Sequence, residues 1–74
     1  MTEVLTGTYD NTLFRDEHDS KTVFTFNPKE RVLHRTRYGN IICVGIIPIY
    51  TKGMPLKLEG EWKKDPNYGM QFHI

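Results

Sequence analysis

Apolar and polar residues alternate at every second position along most of this chain, in five segments separated by turn-forming residues. Alternation of this kind sends successive side chains to opposite faces of a β-strand. No stretch of useful length repeats with the period of a helix. The pattern therefore predicts five strands, over residues 3–12, 21–27, 41–47, 55–64 and 68–74.

The fourth predicted strand divides most clearly into an apolar and a charged face. Leu56, Leu58 and Trp62 share one face, and the other face carries Lys57, Glu59, Glu61 and Lys63. Gly60 lies on the apolar face, and Gly7 lies within the first predicted strand. Glycine inside a strand indicates a bulge or a sharp bend, and a small barrel needs such bends in order to close.

Residues 41–47 are almost continuously apolar, which predicts a central strand that is well covered. Cys43 lies in this run and is the only cysteine, so the chain cannot form an internal disulfide. We interpret it as a small buried hydrophobe rather than a reactive thiol, because free cysteines are among the most buried residues.

Two polar connections lie between the predicted strands. Residues 15–20 are expected to form a turn or a short loop. Residues 29–39 are polar and basic, and we expect a hairpin connection that extends the strands at its ends. Val32 and Leu33 are its aliphatic anchors.

These elements predict an all-β fold that forms one domain over residues 1–74. Five short strands with bends at two glycines are typical of a small barrel, either OB-like or SH3-like, or of a curled antiparallel sheet. A domain of 74 residues has a small core, so we expect modest stability.

Composition narrows the functional classes. Ten basic and nine acidic side chains give a net charge of +1, which argues against binding nucleic acid through bulk charge but permits a local basic face. The first residues lack the pattern of a signal peptide, and no apolar run approaches the length that spans a bilayer. We expect a cytoplasmic domain without membrane contact.

The sequence gives little support for catalysis. Asp16, Glu17 and Asp19 surround His18, but such a group in a turn is ordinarily solvated surface. His18, His34 and His73 are scattered without the spacing of a zinc site, and no phosphate-binding loop or nucleophile elbow is present. We expect no catalytic residue, no metal site and no cofactor. A small metal- or ligand-binding enzyme is the remote alternative.

Nucleic-acid binding has better candidates. Arg31, Arg35 and Arg37 lie close together beside Tyr38, and cations with an exposed aromatic ring can follow a phosphate backbone and stack a base. Lys63 and Lys64 add positive charge at the end of the fourth predicted strand. The alternative is a solvated hairpin whose charges discourage edge-to-edge pairing. Trp62 could stack a base, but its parity with Leu58 favours the core.

Several motifs resemble the N-terminal OB-like domain of the long-form RecD-like ATP-dependent DNA helicases, the RecD/TraA family. That domain commonly ends in G-E-W, a short turn and Y/H-G-x-Q-F. The corresponding residues here are Gly60, Glu61, Trp62, Pro66, Tyr68, Gly69, Gln71 and Phe72. Upstream, the runs 14–23, 44–48 and 53–59 resemble the family's F-R-N-E-E-N-G-Y-T-V, V-G-x-L-P and G-x-x-L-x-L-E. Two features depart from the family: the 29–38 segment is longer and more basic, and Asp19-Ser20-Lys21 replaces the usual N-G before Y-T-V.

The resemblance implies an accessory domain of a DNA helicase that handles single-stranded DNA or packs against motor domains in cis or another protein. ATP and magnesium would be used by the motor domains, which this chain lacks, and the signature residues would be structural. A second hypothesis is a protein-interaction module without DNA contact, docking through an apolar patch of Ile46, Ile47, Ile49 and Tyr50.

Overall fold

The fold is an all-β barrel of five strands. The structure, a computed structural model, describes residues 2–67 and 69–74, and this part of the chain contains no helix. The strands are β1 (Glu3–Asp16), β2 (Lys21–Pro28), β3 (Ile41–Ile46), β4 (Pro55–Asp65) and β5 (Gly69–His73). They close in the order β1-β2-β3-β5-β4, with β4 paired back to β1. The OB-like prediction is confirmed. No helix among the described residues could span a bilayer.

One strand pair runs parallel, so the alternative of a wholly antiparallel curled sheet is wrong. β5 pairs with β3 through Cys43↔Phe72 and Val44↔His73, whereas the other pairings are antiparallel. The reason lies in the connection over residues 47–54, which carries the chain across one end of the barrel. The β4–β5 hairpin then lays β5 alongside β3 in the same direction.

The predicted strand limits hold to within one residue, except at β1. This strand continues through Leu13 and Phe14 to Asp16, which pairs with Lys21, so the polar connection shrinks from 15–20 to the turn at 17–20. The register between β1 and β2 shifts between Tyr9 and Phe14. At these shifts the consecutive apolar residues Leu13 and Phe14 interrupt the alternation, so the sequence pattern did not show that the strand continues. The predicted fifth strand began at Tyr68, which lies outside the described residues.

The two strand glycines serve close packing of backbones. A Cβ on Gly7 would lie 2.0 Å from the carbonyl oxygen of Asn27, and one on Gly60 would lie 2.1 Å from that of His73. Gly60 is the point at which β4 exchanges its partner β1 for β5. Of the bulge or sharp bend expected at Gly7, the structure shows no bulge there, because the register shifts of β1 fall after Tyr9.

The core fills the barrel with the inward-facing set of each strand. Tyr9 stacks on Phe24 with ring centroids 4.9 Å apart, and Trp62 meets Phe72 edge-on at 5.2 Å. Trp62 is half-buried against the core, which confirms the prediction that it faces the core with Leu58. Cys43 is fully buried and burial raises the pKa of its thiol, as expected for a small hydrophobe. The buried apolar cluster comprises Leu5, Tyr9, Phe24, Phe26, Ile41, Cys43, Ile47, Leu58 and Phe72.

Residues 47–54 close one end of the barrel. Ile47 is buried, and its carbonyl oxygen accepts a hydrogen bond from the Arg15 guanidinium at 3.0 Å. Tyr50 packs edge-on against Tyr9 at 5.8 Å. The apolar patch expected at 46–50 is therefore divided, because Ile47 and Tyr50 belong to the core. Ile46 and Ile49 remain at the surface, 72% and 79% exposed.

Candidate nucleic-acid interface

Strand register places four side chains in one row on the outside of the barrel. Phe14 pairs with Val23, Val23 with Val44, and Val44 with His73. Their neighbours Phe24, Cys43 and Phe72 are fully buried, so the row itself faces outward. Around it lies an open groove of about 490 Å³, here called the outer groove, whose lining also includes Leu13, Lys21, Ile42, Asp65 and Gln71.

The outer groove combines an exposed aromatic ring with one basic and one acidic side chain, Lys21 and Asp65. Phe14 is 59% exposed at one side of the groove, beside the aliphatic floor of Val23 and Val44. Burial lowers the pKa of His73, and the nearby ammonium groups of Lys63 and Lys21 lower it further. Lys21 lines the groove, and Lys63 pairs across the strands with Gln71, which also lines it. A ring for stacking and neighbouring cations are the groups that single-stranded nucleic acid requires.

A basic loop, residues 29–40, adjoins this groove and is anchored at its start. The Glu30 carboxylate accepts hydrogen bonds from the backbone N–H of Thr6 at 2.9 Å and from its hydroxyl at 2.6 Å. These bonds lower the pKa of Glu30. The N–H of Lys29 also donates to the Thr6 carbonyl at 2.7 Å. The acidic side chain of the loop is thereby used as an anchor to β1, which leaves the surface of the loop basic.

The middle of the basic loop folds on itself and against Trp62. The Arg35 guanidinium donates to the carbonyl oxygen of Glu30 at 3.0 Å and to that of Gly39. The His34 ring lies 5.1 Å from the ring of Trp62. None of the residues 29–40 forms a strand, so the expected extension of β2 and β3 into this loop is wrong. The shape of the loop is therefore fixed by side-chain contacts rather than by backbone pairing between strands.

The predicted interface residues differ in whether their side chains hold the loop together or are exposed to solvent. Arg35 holds the loop together, whereas Arg31 and Arg37 are exposed, and the Arg37 guanidinium lies 5.9 Å from the centre of the Tyr38 ring. Tyr38 is 80% exposed. In β4, Lys63 pairs with Gln71 and Lys64 with Met70, so the two lysines point to opposite sides of the strand.

The acidic turn, residues 16–20, is closed by its own side chains. Asp16 accepts a hydrogen bond from the N–H of His18 at 2.9 Å, and Asp19 accepts one from the N–H of Lys21 at 3.0 Å. Across the described residues, no group of three or more His, Cys, Asp or Glu side chains could hold a metal ion. The carboxylates of Asp16 and Asp19 thus serve the turn itself.

Comparison with known families identifies the fold. The family model for the OB-fold domain of the ATP-dependent DNA helicase YrrC matches residues 2–74. The chain belongs to this family. No curated protein and no solved structure matches it significantly. In this OB-fold domain, the signature residues Trp62 and Phe72 contact each other in the core, Gln71 is buried, and Gly60 allows the close approach of β5. Tyr68 lies outside the described residues.

Sequence reasoning missed the outer groove of this OB-fold domain. Phe14 and Lys21 are far from His73 in the chain, and three strand pairings that join four strands are needed to bring them together. Alternation does mark Val23 and Val44 as outward-facing, since they adjoin the core residues Phe24 and Cys43. The signal available in the sequence was Phe14, which lies shortly before a strand that begins with Lys21.

Proposed function

We propose that this domain is a non-catalytic accessory domain of an ATP-dependent DNA helicase, and that it holds single-stranded DNA in the outer groove. One observation carries the proposal: the exposed ring of Phe14 and the ammonium of Lys21 line one groove, and Ile42 joins this groove to a second one lined by the basic loop. OB-folds commonly bind oligonucleotides on the face of their second and third strands, and that face forms this groove.

The groove suits a single strand because it offers separate places for bases and phosphates. A base stacks on the ring of Phe14, and its neighbour lies on Val23, which is partly exposed. Phosphates pair with Lys21 at the groove and with Arg31 and Arg37 of the basic loop. Lys63 and Lys64 in β4 are further candidates. No step of this binding needs a cofactor, since ATP and magnesium belong to the motor domains of such a helicase.

Affinity is expected to be weak and strongly dependent on salt. The domain has a net charge of only +1, so attraction comes from a few local contacts. For single strands, the logarithm of the binding constant falls by about 0.7 per neutralised phosphate for each tenfold rise in salt. Four contacts would therefore give a slope of about −2.8.

Fluorescence anisotropy with a labelled oligothymidine at low salt tests the proposal. Phe14→Ala should weaken binding by about tenfold, because a stacked base contributes about 1–3 kcal/mol. Ile49→Ala is the matched control, since Ile49 is an exposed apolar residue that does not line the groove. Absence of binding at high micromolar protein, or equal losses in both variants, would contradict DNA binding in the groove.

A second candidate function is packing against the motor domains. The observation that favours it is the exposure of Ile46 and Ile49, which protrude at the end of β3 and in the connection that follows it. Hydrogen exchange on an intact helicase of this family would test this candidate. Residues 46–49 should be protected there relative to the isolated domain, and equal exchange in both would exclude this contact.

A further inference from the structure

We infer that a recess beside the outer groove recognises the Watson–Crick edge of one guanine in the bound strand, an inference that rests on the proposed function. The recess measures about 510 Å³ and lies between β1 and the basic loop. Leu13 and Ile42 line both the recess and the outer groove, so the two are continuous. A strand lying in the groove can therefore place a base in the recess without leaving the surface.

Asp10 forms the polar centre of the recess and is held in one orientation. Its Oδ2 accepts hydrogen bonds from the hydroxyl of Thr25 at 2.9 Å and from the side-chain amide of Asn40 at 3.0 Å. Its Oδ1 lies 3.9 Å from the Lys52 ammonium. The Asp10 side chain is only 17% exposed, whereas that of Lys52 is 73% exposed. A fixed acceptor thus lies beside a donor that can move to meet a ligand.

The charge of this pair selects a base over a phosphate. The Asp10 carboxylate repels a phosphate but accepts hydrogen bonds from ring N–H and amino groups. The walls are suitable for a flat ring, because Leu13 and Ile42 are aliphatic and the exposed ring of Tyr38 lies in the same lining. The backbone of the strand would remain outside, towards Arg37, whose guanidinium lies beside the Tyr38 ring.

Guanine matches the donor and acceptor order of the pair best. It presents the ring N1–H and the amino group side by side to a carboxylate, and its O6 next to them accepts from a lysine. Adenine and cytosine offer a carboxylate only an amino group on this edge, and thymine only a ring N–H. The recess therefore predicts a preference among bases on a face whose other contacts do not distinguish them.

Competition binding with oligothymidines that carry one central guanine, adenine or cytosine tests the inference. A single guanine cannot form quartets, so any gain reflects the protein. The guanine oligonucleotide should bind about tenfold more tightly than oligothymidine, as expected for a well-formed pair of base contacts. Equal affinities for all four, or a higher affinity for another base, would overturn the inference. If no oligonucleotide binds, the proposed function fails as well.

Two variants assign the preference to the recess. Asp10→Asn keeps the shape of the side chain but places a donor in the Oδ1 position, so the guanine preference should disappear. Lys52→Met removes the second contact and should reduce the guanine preference. Because Lys52 is exposed, this variant provides a test even if the Asp10→Asn protein does not fold. Lys57→Met is the control, because Lys57 is exposed on β4 and does not line the recess. A preference that survives in both recess variants would overturn the assignment.

Discussion

The acidic turn and the basic loop both join neighbouring antiparallel strands of one barrel, but they are held in opposite ways. The acidic turn is closed by contacts two residues apart, from Asp16 to His18 and from Asp19 to Lys21. The basic loop is held by distant residues, with Glu30 bonded to Thr6, His34 against Trp62 and Asn40 bonded to Asp10. Local contacts are enough to close the acidic turn, whereas the basic loop also needs contacts with distant strands of the barrel.

Their charges differ in the same way, and the difference teaches why composition misleads here. Asp16, Glu17 and Asp19 give the turn negative charge, whereas the arginines of the basic loop give it positive charge. The two nearly cancel in the net charge of +1. A molecule that is almost neutral on average thus offers a phosphate backbone one favourable and one unfavourable end.

The largest expected effect comes from cutting the distant anchor of the basic loop. Asn40 is buried, and its side chain bridges Thr36 and Asp10. Asn40→Ala should lower the free energy of unfolding by about 1–3 kcal/mol, because it removes a buried side chain and leaves two partly buried partners unsatisfied. Asp19→Ala removes only an exposed local bond and should cost about 0.5 kcal/mol. Urea unfolding measures both, and equal losses would contradict the distinction between the two connections.

The next effect is on DNA affinity. Arg31→Glu combined with Arg37→Glu should weaken binding of an oligothymidine at least about tenfold and lower the salt slope by about 0.7 for each lost contact. Glu17→Lys in the acidic turn should raise affinity by less than the arginine variants lower it, because it changes one exposed charge near Lys21 and removes no proposed contact. Anisotropy titrations at several salt concentrations measure the change. If Glu17→Lys raises DNA affinity by more than the arginine variants lower it, the acidic turn rather than the basic loop would be the end that contacts DNA.

Two smaller effects on the free energy of unfolding, opposite in sign, concern backbone conformation. Ser20 in the turn and Gly39 in the loop both adopt left-handed conformations, with φ of 63° and 83°. Ser20→Gly should raise the free energy of unfolding by about 0.5–1 kcal/mol, whereas Gly39→Ala should lower it by about 1 kcal/mol. A Cβ on Gly39 meets nothing within 4 Å, so strain alone acts there. Thermal unfolding of both variants checks the opposite signs.

The smallest effect is a loss of stability in acid. Hydrogen bonds from Thr6 hold the pKa of Glu30 below its ordinary value of 4.5. The ionised carboxylate therefore stabilises the fold fully above pH 4.5, and this contribution is lost as the pH falls through the lowered pKa. Glu30→Gln should flatten the decline of stability in this range. Unfolding curves measured from neutral pH downwards should separate the variant from the wild type, and coincident slopes would refute the anchor.

Local pattern was enough to predict most of the fold. The strand limits and the core position of Trp62 follow from alternation, because each side chain's parity is fixed by its immediate neighbours. Ser20, at the position where the resemblance implied glycine, adopts a left-handed conformation with φ of 63°.

The candidate site was less predictable because it depends on distant pairings. Leu13 and Phe14 break the alternation at the register shifts of β1, which hid the end of that strand. The Glu30–Thr6 bond spans 24 residues, and no local pattern announces it. Phe14 and His73 face the same groove only because β5 runs parallel to β3, a pairing that the sequence did not reveal.

Mapping backbone amide NMR shifts during titration with a short oligothymidine tests the central claim most directly. We predict the largest perturbations at Lys21, Val23, Val44 and His73 and along the basic loop, with smaller ones at the adjacent acidic turn. Perturbations confined to Ile46 and Ile49, or a spectrum that oligothymidine leaves unchanged, would contradict DNA binding in the outer groove.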